Sequence, residues 1–161
     1  LFSFSNAQGT IQINNLTSYT LNFQLYAELD NTCDFNLYGW NNTYPSGFEY
    51  MFDLPPTPGT VTYTSYLDTG LQTPTMNRFR KSDTGTLYTL SAVTTLYGNS
   101  GIIDTSYWSF LKFTLMDEGE SVFYCTIGLP SDCNNYFVSC DDANFYAEIF
   151  ALSGVTYFNI F

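Results

Sequence analysis

Two glutamates are the first candidates for chemistry in this chain: Glu49 in "FEYMF" and Glu148 in "YAEIF", each set between aromatic residues. A pair of carboxylates can hydrolyse a glycosidic bond, one protonating the leaving oxygen while the other serves as base or nucleophile. The chain contains no histidine, which removes Ser-His and Cys-His nucleophile pairs and the commonest general base. Both glutamates also fall on the polar side of segments that alternate apolar and polar positions, where a carboxylate simply faces water. That account is the simpler one. The expectation is a non-catalytic protein with no catalytic residue and no cofactor, a small carboxylate glycosidase ranking third among the readings.

Cysteine chemistry points the same way. Cys33, Cys125, Cys133 and Cys140 lack the C-x-x-C spacing of a zinc site, and no histidine can complete one. Two disulfides in an oxidising compartment are expected. Gly128 and Pro130 suit a turn that would join Cys125 to Cys133, leaving Cys33 with Cys140, although sequence leaves all three connectivities open. Between and beyond these cysteines, "SDCNNYFVSCDDAN" gathers Asp132, Asn134, Asn135, Asp141, Asp142 and Asn144. Oxygen-rich loops can hold Ca²⁺, but no D-x-D-x-D-G spacing occurs. The segment reads as a polar loop pinned by a disulfide, and Asp117, Glu118 and Glu120 in "MDEGE" read as a hairpin turn. No metal is expected.

Ring faces and acceptor amides complete the site candidates. Trp40 and Tyr44 flank "GWNNTYPSG", and Trp108 opens a further strand segment; exposed rings of this kind stack on sugars. Asn15 and Asn41 stand in the sequons Asn15-Leu16-Thr17 and Asn41-Asn42-Thr43, candidate N-glycan acceptors that require a solvent-facing side chain if occupied.

The elements that must position these residues are strands. In 161 residues the chain carries 45% hydrophobic but only 12% charged residues, with 14 Tyr and 15 Phe, a composition suited to β-sheet. The size is that of one domain spanning residues 1–161. In "YTLNFQLYAEL", Leu21, Phe23, Leu25 and Ala27 share one face against Thr20, Asn22, Gln24 and Tyr26, the pattern of a half-buried strand. "GTVTYTSYL" sets Val61 and Tyr63 against Thr60 and Thr62, and "GFEYMFDL" follows the same period. "TIQI", "CDFNLYGW", "TLYTLSAVTTLY", "SYWSFLKFTLM", "SVFYCTI", "NFYAEIFAL" and the closing "GVTYFNIF" are further candidates. Turn signals at Pro45-Ser46-Gly47, Pro55 to Gly59, Gly98 to Gly101, Asp117-Glu118-Gly119 and Ser153-Gly154 separate them. About ten short strands at this spacing predict an all-β antiparallel sandwich, Ig-like or jelly-roll, stabilised by disulfides.

Charge and the two chain ends suggest how such a domain is used. A net charge of −11 repels phosphate backbones and anionic membranes, so no nucleic-acid partner is expected. No apolar run approaches the roughly 20 residues that a membrane helix needs, and membrane insertion is not expected. Residue 1 is Leu, which suggests removal of a signal peptide and hence a secreted, extracellular or cell-surface protein. Leu1, Phe2 and Phe4 crowd one end ahead of a hinge-like "SNAQG", making residues 1–9 a candidate assembly strand. Tyr157, Phe158, Ile160 and Phe161 crowd the other. An apolar strand on a hinge can insert into a neighbour's open sheet edge. Arg78, Arg80 and Lys81 in "NRFRK" form a concentrated positive spot on a negative body, complementary to another copy of that body.

In its size, strand count, hinged "LFSFS", aromatic final strand and "NNTYPSGF...PPTPGTVTYTSYL" cadence, the chain resembles secreted pilus-type and Ig-like β-sandwich subunits. That resemblance implies assembly by donor-strand exchange. Glu49 with its following tyrosine also resembles, over a few residues, the strand that opens the cleft of small jelly-roll xylanases. The leading expectation is a structural or adhesive subunit of an extracellular filament or surface layer, self-associating into a homopolymer. A secreted glycan-binding module is the alternative.

Overall fold

The computed structural model describes residues 10–29, 32–40, 52–64, 78–80, 87–89, 91–92, 95, 106–129, 137–140 and 144–161. Twelve strands occur among them: β1 (Thr10–Asn15), β2 (Thr20–Leu29), β3 (Thr32–Trp40), β4 (Phe52–Leu54), β5 (Thr60–Tyr63), β6 (Arg78–Arg80), β7 (Leu87–Thr89), β8 (Ser106–Asp117), β9 (Glu120–Gly128), β10 (Phe137–Cys140), β11 (Ala147–Leu152) and β12 (Val155–Ile160). They form two sheets. A four-stranded sheet runs β11-β12-β1-β5, and an eight-stranded sheet runs β10-β9-β8-β2-β3-β6-β7, with β4 sharing the β3 side of β2. Every pairing is antiparallel except β1 with β12, which is parallel and sets the first and last described strands side by side.

Alternation explains why these segments pair as they do. Ile11 and Ile13 of β1, Val61 and Tyr63 of β5, and Phe158 and Ile160 of β12 all point inward from the smaller sheet. Leu21, Phe23, Leu25 and Ala27 of β2 meet Leu111, Phe113 and Leu115 of β8 and Phe123, Cys125 and Ile127 of β9 on the larger one. All belong to a single buried cluster. Phe145, which leads into β11, bridges the two sheets: its ring lies 4.7 Å from that of Phe123 and 5.8 Å from that of Tyr19. The half-buried expectation for β2 needs one correction, because Gln24 and Tyr26 on its second face are also buried. Tyr26 donates its hydroxyl proton to Gln24 Oε1 at 2.7 Å and stacks on Phe110 at 3.9 Å, so the buried hydroxyl has its acceptor within the same strand.

Two hairpins close through two-residue loops at positive φ, each with glycine at the second position. Glu118-Gly119 joins β8 to β9 with φ of 48° and 89°, and Ser153-Gly154 joins β11 to β12 with φ of 53° and 80°. Two-residue loops with both φ positive match the twist of the strands they join. Gly59 has a different reason to be glycine. Its φ is 72°, and a Cβ there would lie 2.7 Å from the Pro56 carbonyl oxygen and 2.8 Å from that of Asn15.

Asn15 occupies the crossing between the sheets. Its backbone N–H donates to Gly59 O at 2.6 Å, at the approach to β5. Its side-chain Nδ2 donates to Tyr19 O at 2.8 Å and Leu54 O at 2.9 Å, beside β2 and at the end of β4. Its Oδ1 accepts from Thr17 N at 3.2 Å and Thr17 Oγ1 at 2.8 Å. One 2%-exposed side chain thus ties the end of a strand in the small sheet to two strands of the large one. Asn15→Ala should cost about 1–3 kcal/mol or more, because it strands buried carbonyls. Asn15→Asp should cost more, because it sets an anion against them. Urea unfolding reads both, as a lower midpoint at unchanged slope; a variant as stable as the parent would show that the crossing does not depend on this side chain.

Candidate functional site

Four of the large apolar side chains exposed among the described residues gather on the outward face of the smaller sheet, with Leu16, Val122, Tyr124 and Val138 lying elsewhere. Period two places Tyr146, Glu148, Phe150 and Leu152 on this face of the β11 segment, opposite Phe161, Asn159, Tyr157 and Val155. Tyr146 is 61% exposed, Leu152 60%, Phe161 46% and Phe150 38%. Their rings pair across the hairpin, Tyr146 with Phe161 at 5.7 Å and Phe150 with Tyr157 stacked at 5.1 Å. Cross-strand aromatic pairs steady a hairpin. A contiguous exposed patch of this kind also marks a contact surface.

Between the two aromatic rungs runs a polar row, one residue from each strand. Thr60 Oγ1 donates to Asn14 Oδ1 at 3.0 Å, Asn14 Nδ2 to Asn159 Oδ1 at 2.7 Å, and Asn159 Nδ2 to Glu148 Oε1 at 2.7 Å. Gln12 Nε2 also donates to Asn14 Oδ1, at 3.0 Å. The register makes the row, because Thr60 opposes Asn14, Asn14 opposes Asn159, and Asn159 opposes Glu148. The row ends in a carboxylate on β11, the outer strand. Glu148 is the one carboxylate on this face among the described strand residues.

The sequence-based candidates redistribute on this frame. Phe158 and Ile160 are fully buried, and β12 is paired on both edges, to β11 and to β1. They are core residues of their own sheet rather than an exchanged assembly strand; Tyr157 and Phe161, of opposite parity, turn outward. Trp108 is 3% exposed and packs in the core, which rules it out as a sugar-stacking ring. Asn15 is buried with Nδ2, the atom a glycan would occupy, held by two carbonyls, so its sequon is a structural turn. Cys125 bonds Cys140, its directly opposed residue in β10, and this replaces the expected Cys125 to Cys133 link and, with it, Cys33 to Cys140.

Arg78 and Arg80 lie in β6, paired with β3 and β7, and Trp40 ends β3. Leu1, Phe2, Phe4, Asn41, Tyr44, Glu49, Lys81 and Cys133 lie outside the described residues, so the Glu49 and Glu148 pair is not assembled by them. Among the described residues no group of three or more Cys, Asp or Glu side chains is arranged to hold a metal, and no helix is long and apolar enough to cross a membrane. Tyr146 and Phe150 escaped the sequence reading, although the same period that placed Glu148 puts them beside it. No protein-family model matches the chain, and no curated protein matches it.

Two outcomes follow. Non-reducing peptide mapping should recover Cys125 linked to Cys140; a Cys125 to Cys133 peptide would contradict the β9 to β10 register. Trp108→Ala should destabilise by about 3–5 kcal/mol in chemical unfolding, as a core truncation does, and full stability would place the ring at the surface.

Proposed function

We propose that the two sheets pack face to face as a disulfide-stabilised β-sandwich, and that the domain is a structural or adhesive subunit of an extracellular filament or surface layer. The observation that carries the reading is the exposed apolar strip of Tyr146, Phe150, Leu152 and Phe161 on an otherwise strongly acidic protein. Net charge keeps such a protein soluble against non-specific collapse, so an apolar strip points to a specific contact. The Cys125 to Cys140 bond supports an oxidising, secreted setting. Because β12 is satisfied within its own sheet, the contact moves from the chain's end to this face, and strand exchange is left to Leu1, Phe2 and Phe4 alone. The reading is non-catalytic, with a second copy as the main partner.

The aromatic rungs on either side of an amide and carboxylate row also favour a second reading, a glycan-binding module, since rings supply stacking and the row supplies directed hydrogen bonds. Light scattering with negative-stain microscopy separates the two. The first reading expects concentration-dependent ordered assemblies that Phe150→Ser with Leu152→Ser weakens while the monomer stays folded. A monomer at every concentration, with glycan capture lost on Tyr146→Ala, would replace it by the second.

A further inference from the structure

We propose that the Cys125 to Cys140 disulfide is a redox latch on the edge of the larger sheet: a thiol opens it by attack on Cys140, and β10 alone is released. The latch is independent of whatever the face of β11 and β12 contacts. Its two sulfurs have opposite settings. Cys125 is fully buried and belongs to the core cluster with Phe123 and Ile127 of its own strand. Cys140 ends β10 and is exposed. Directly opposed residues of an antiparallel pair set their side chains on one face, so Val138 and Cys140 point the same way as Ile127 and Cys125. Ile127 is 1% exposed and Val138 45%. The core therefore ends at β9.

That boundary decides what each strand loses when the bond opens. β9 is paired with β8 along its length and keeps Phe123, Cys125 and Ile127 in the core. β10 pairs with β9 over four residues, and Val138, Ser139 and Cys140 are all exposed. A ladder this short is marginal in water unless side chains bury behind it. The disulfide supplies the missing constraint, barring β10 from states in which it strays from β9.

Opening starts at the sulfur that solvent reaches. A glutathione thiolate forms a bond to Cys140 Sγ, the bond to Cys125 breaks, and its electron pair leaves on Cys125 Sγ, which takes up a proton. Cys140 then carries glutathione as a mixed disulfide. A second glutathione thiolate attacks the glutathione sulfur, leaves as glutathione disulfide and frees the Cys140 thiolate, so two electrons have passed to the protein. β9 then presents an unpaired edge over residues 125–128, a template for another strand.

The test is a glutathione titration of the full chain, read by peptide mapping after acid quench and by amide hydrogen exchange. At intermediate ratios the adduct should sit on Cys140 and not on Cys125. In the opened protein, amide protection across Phe137–Cys140 should fall about tenfold or more, while that of Leu111, Phe113 and Leu115 in β8 stays unchanged. Cys140→Ser alters an exposed side chain and removes the latch without reductant, leaving Cys33 and Cys133 untouched. Its β10 amides should exchange as in the opened protein, and added glutathione should change them no further. Adduct on Cys125 would overturn the assignment of the attacked sulfur. A bond that stays intact at every glutathione ratio would overturn the latch, as would equal β10 protection in oxidised, reduced and Cys140→Ser protein. Loss of protection in β8 together with β10 would show that the bond holds the whole fold, and would overturn the release of β10 alone.

Discussion

The architecture depends on how the chain crosses from one sheet to the other at Asn15. A strand of the small sheet ends there, and within five residues β2 of the large sheet begins. Backbone groups at such a crossing lose water without gaining a ladder partner, and each one left unpaired costs free energy. The Asn15 amide answers this at a single point, giving two protons to the Tyr19 and Leu54 carbonyls and accepting two from Thr17. Its own N–H meets Gly59, where only a glycine fits between the carbonyls of Pro56 and Asn15. Leu16 N then reaches Ile160 O, carrying the β1 to β12 pairing one residue past the strand. The approaches to β2 and β5 and the end of β4 are fixed around this residue, and the inward rows of both sheets reach one core.

That junction also decides what the molecule has left for contact. Because β1 is anchored, β12 is held between it and β11, and the aromatic end of the chain is consumed by its own fold. The outward half of the same strands remains, and there aromatic rungs frame a hydrogen-bonded row that ends in a carboxylate. The core and the exposed face therefore draw on alternate residues of the same two strands. Phe158 and Ile160 serve the core; Tyr157 and Phe161 serve the surface.

Much of the fold was legible because period-two patterning reports burial directly. The inward rows of β1, β2 and β5 and the glycine turns at 119 and 154 are readable residue by residue. The misreadings have physical causes. In β8 a bulge between Tyr26 and Ala27 of its partner makes Ser109 the extra residue and sets Trp108 opposite Ala27, so strict alternation puts this tryptophan on the wrong face. Cys140 lies 15 residues from Cys125, and its proximity comes from strand register rather than a local turn. A sequon and a buried turn asparagine share one spelling, and only the tertiary carbonyl of Leu54 distinguishes them. The Glu148 face combines residues from four strands, and its row exists only once a parallel pairing between residues 145 apart is known.

β12 is an interior strand of its own sheet, paired with β11 on one edge and β1 on the other, and the proposed contact through faces leaves it in place. Amide hydrogen exchange across Val155–Ile160, measured on dilute and on concentrated protein, tests this. Strong and equal protection of these amides is expected in both. Rapid exchange in the monomer, with protection appearing only on association, would show that the strand is completed by a neighbour and would contradict it.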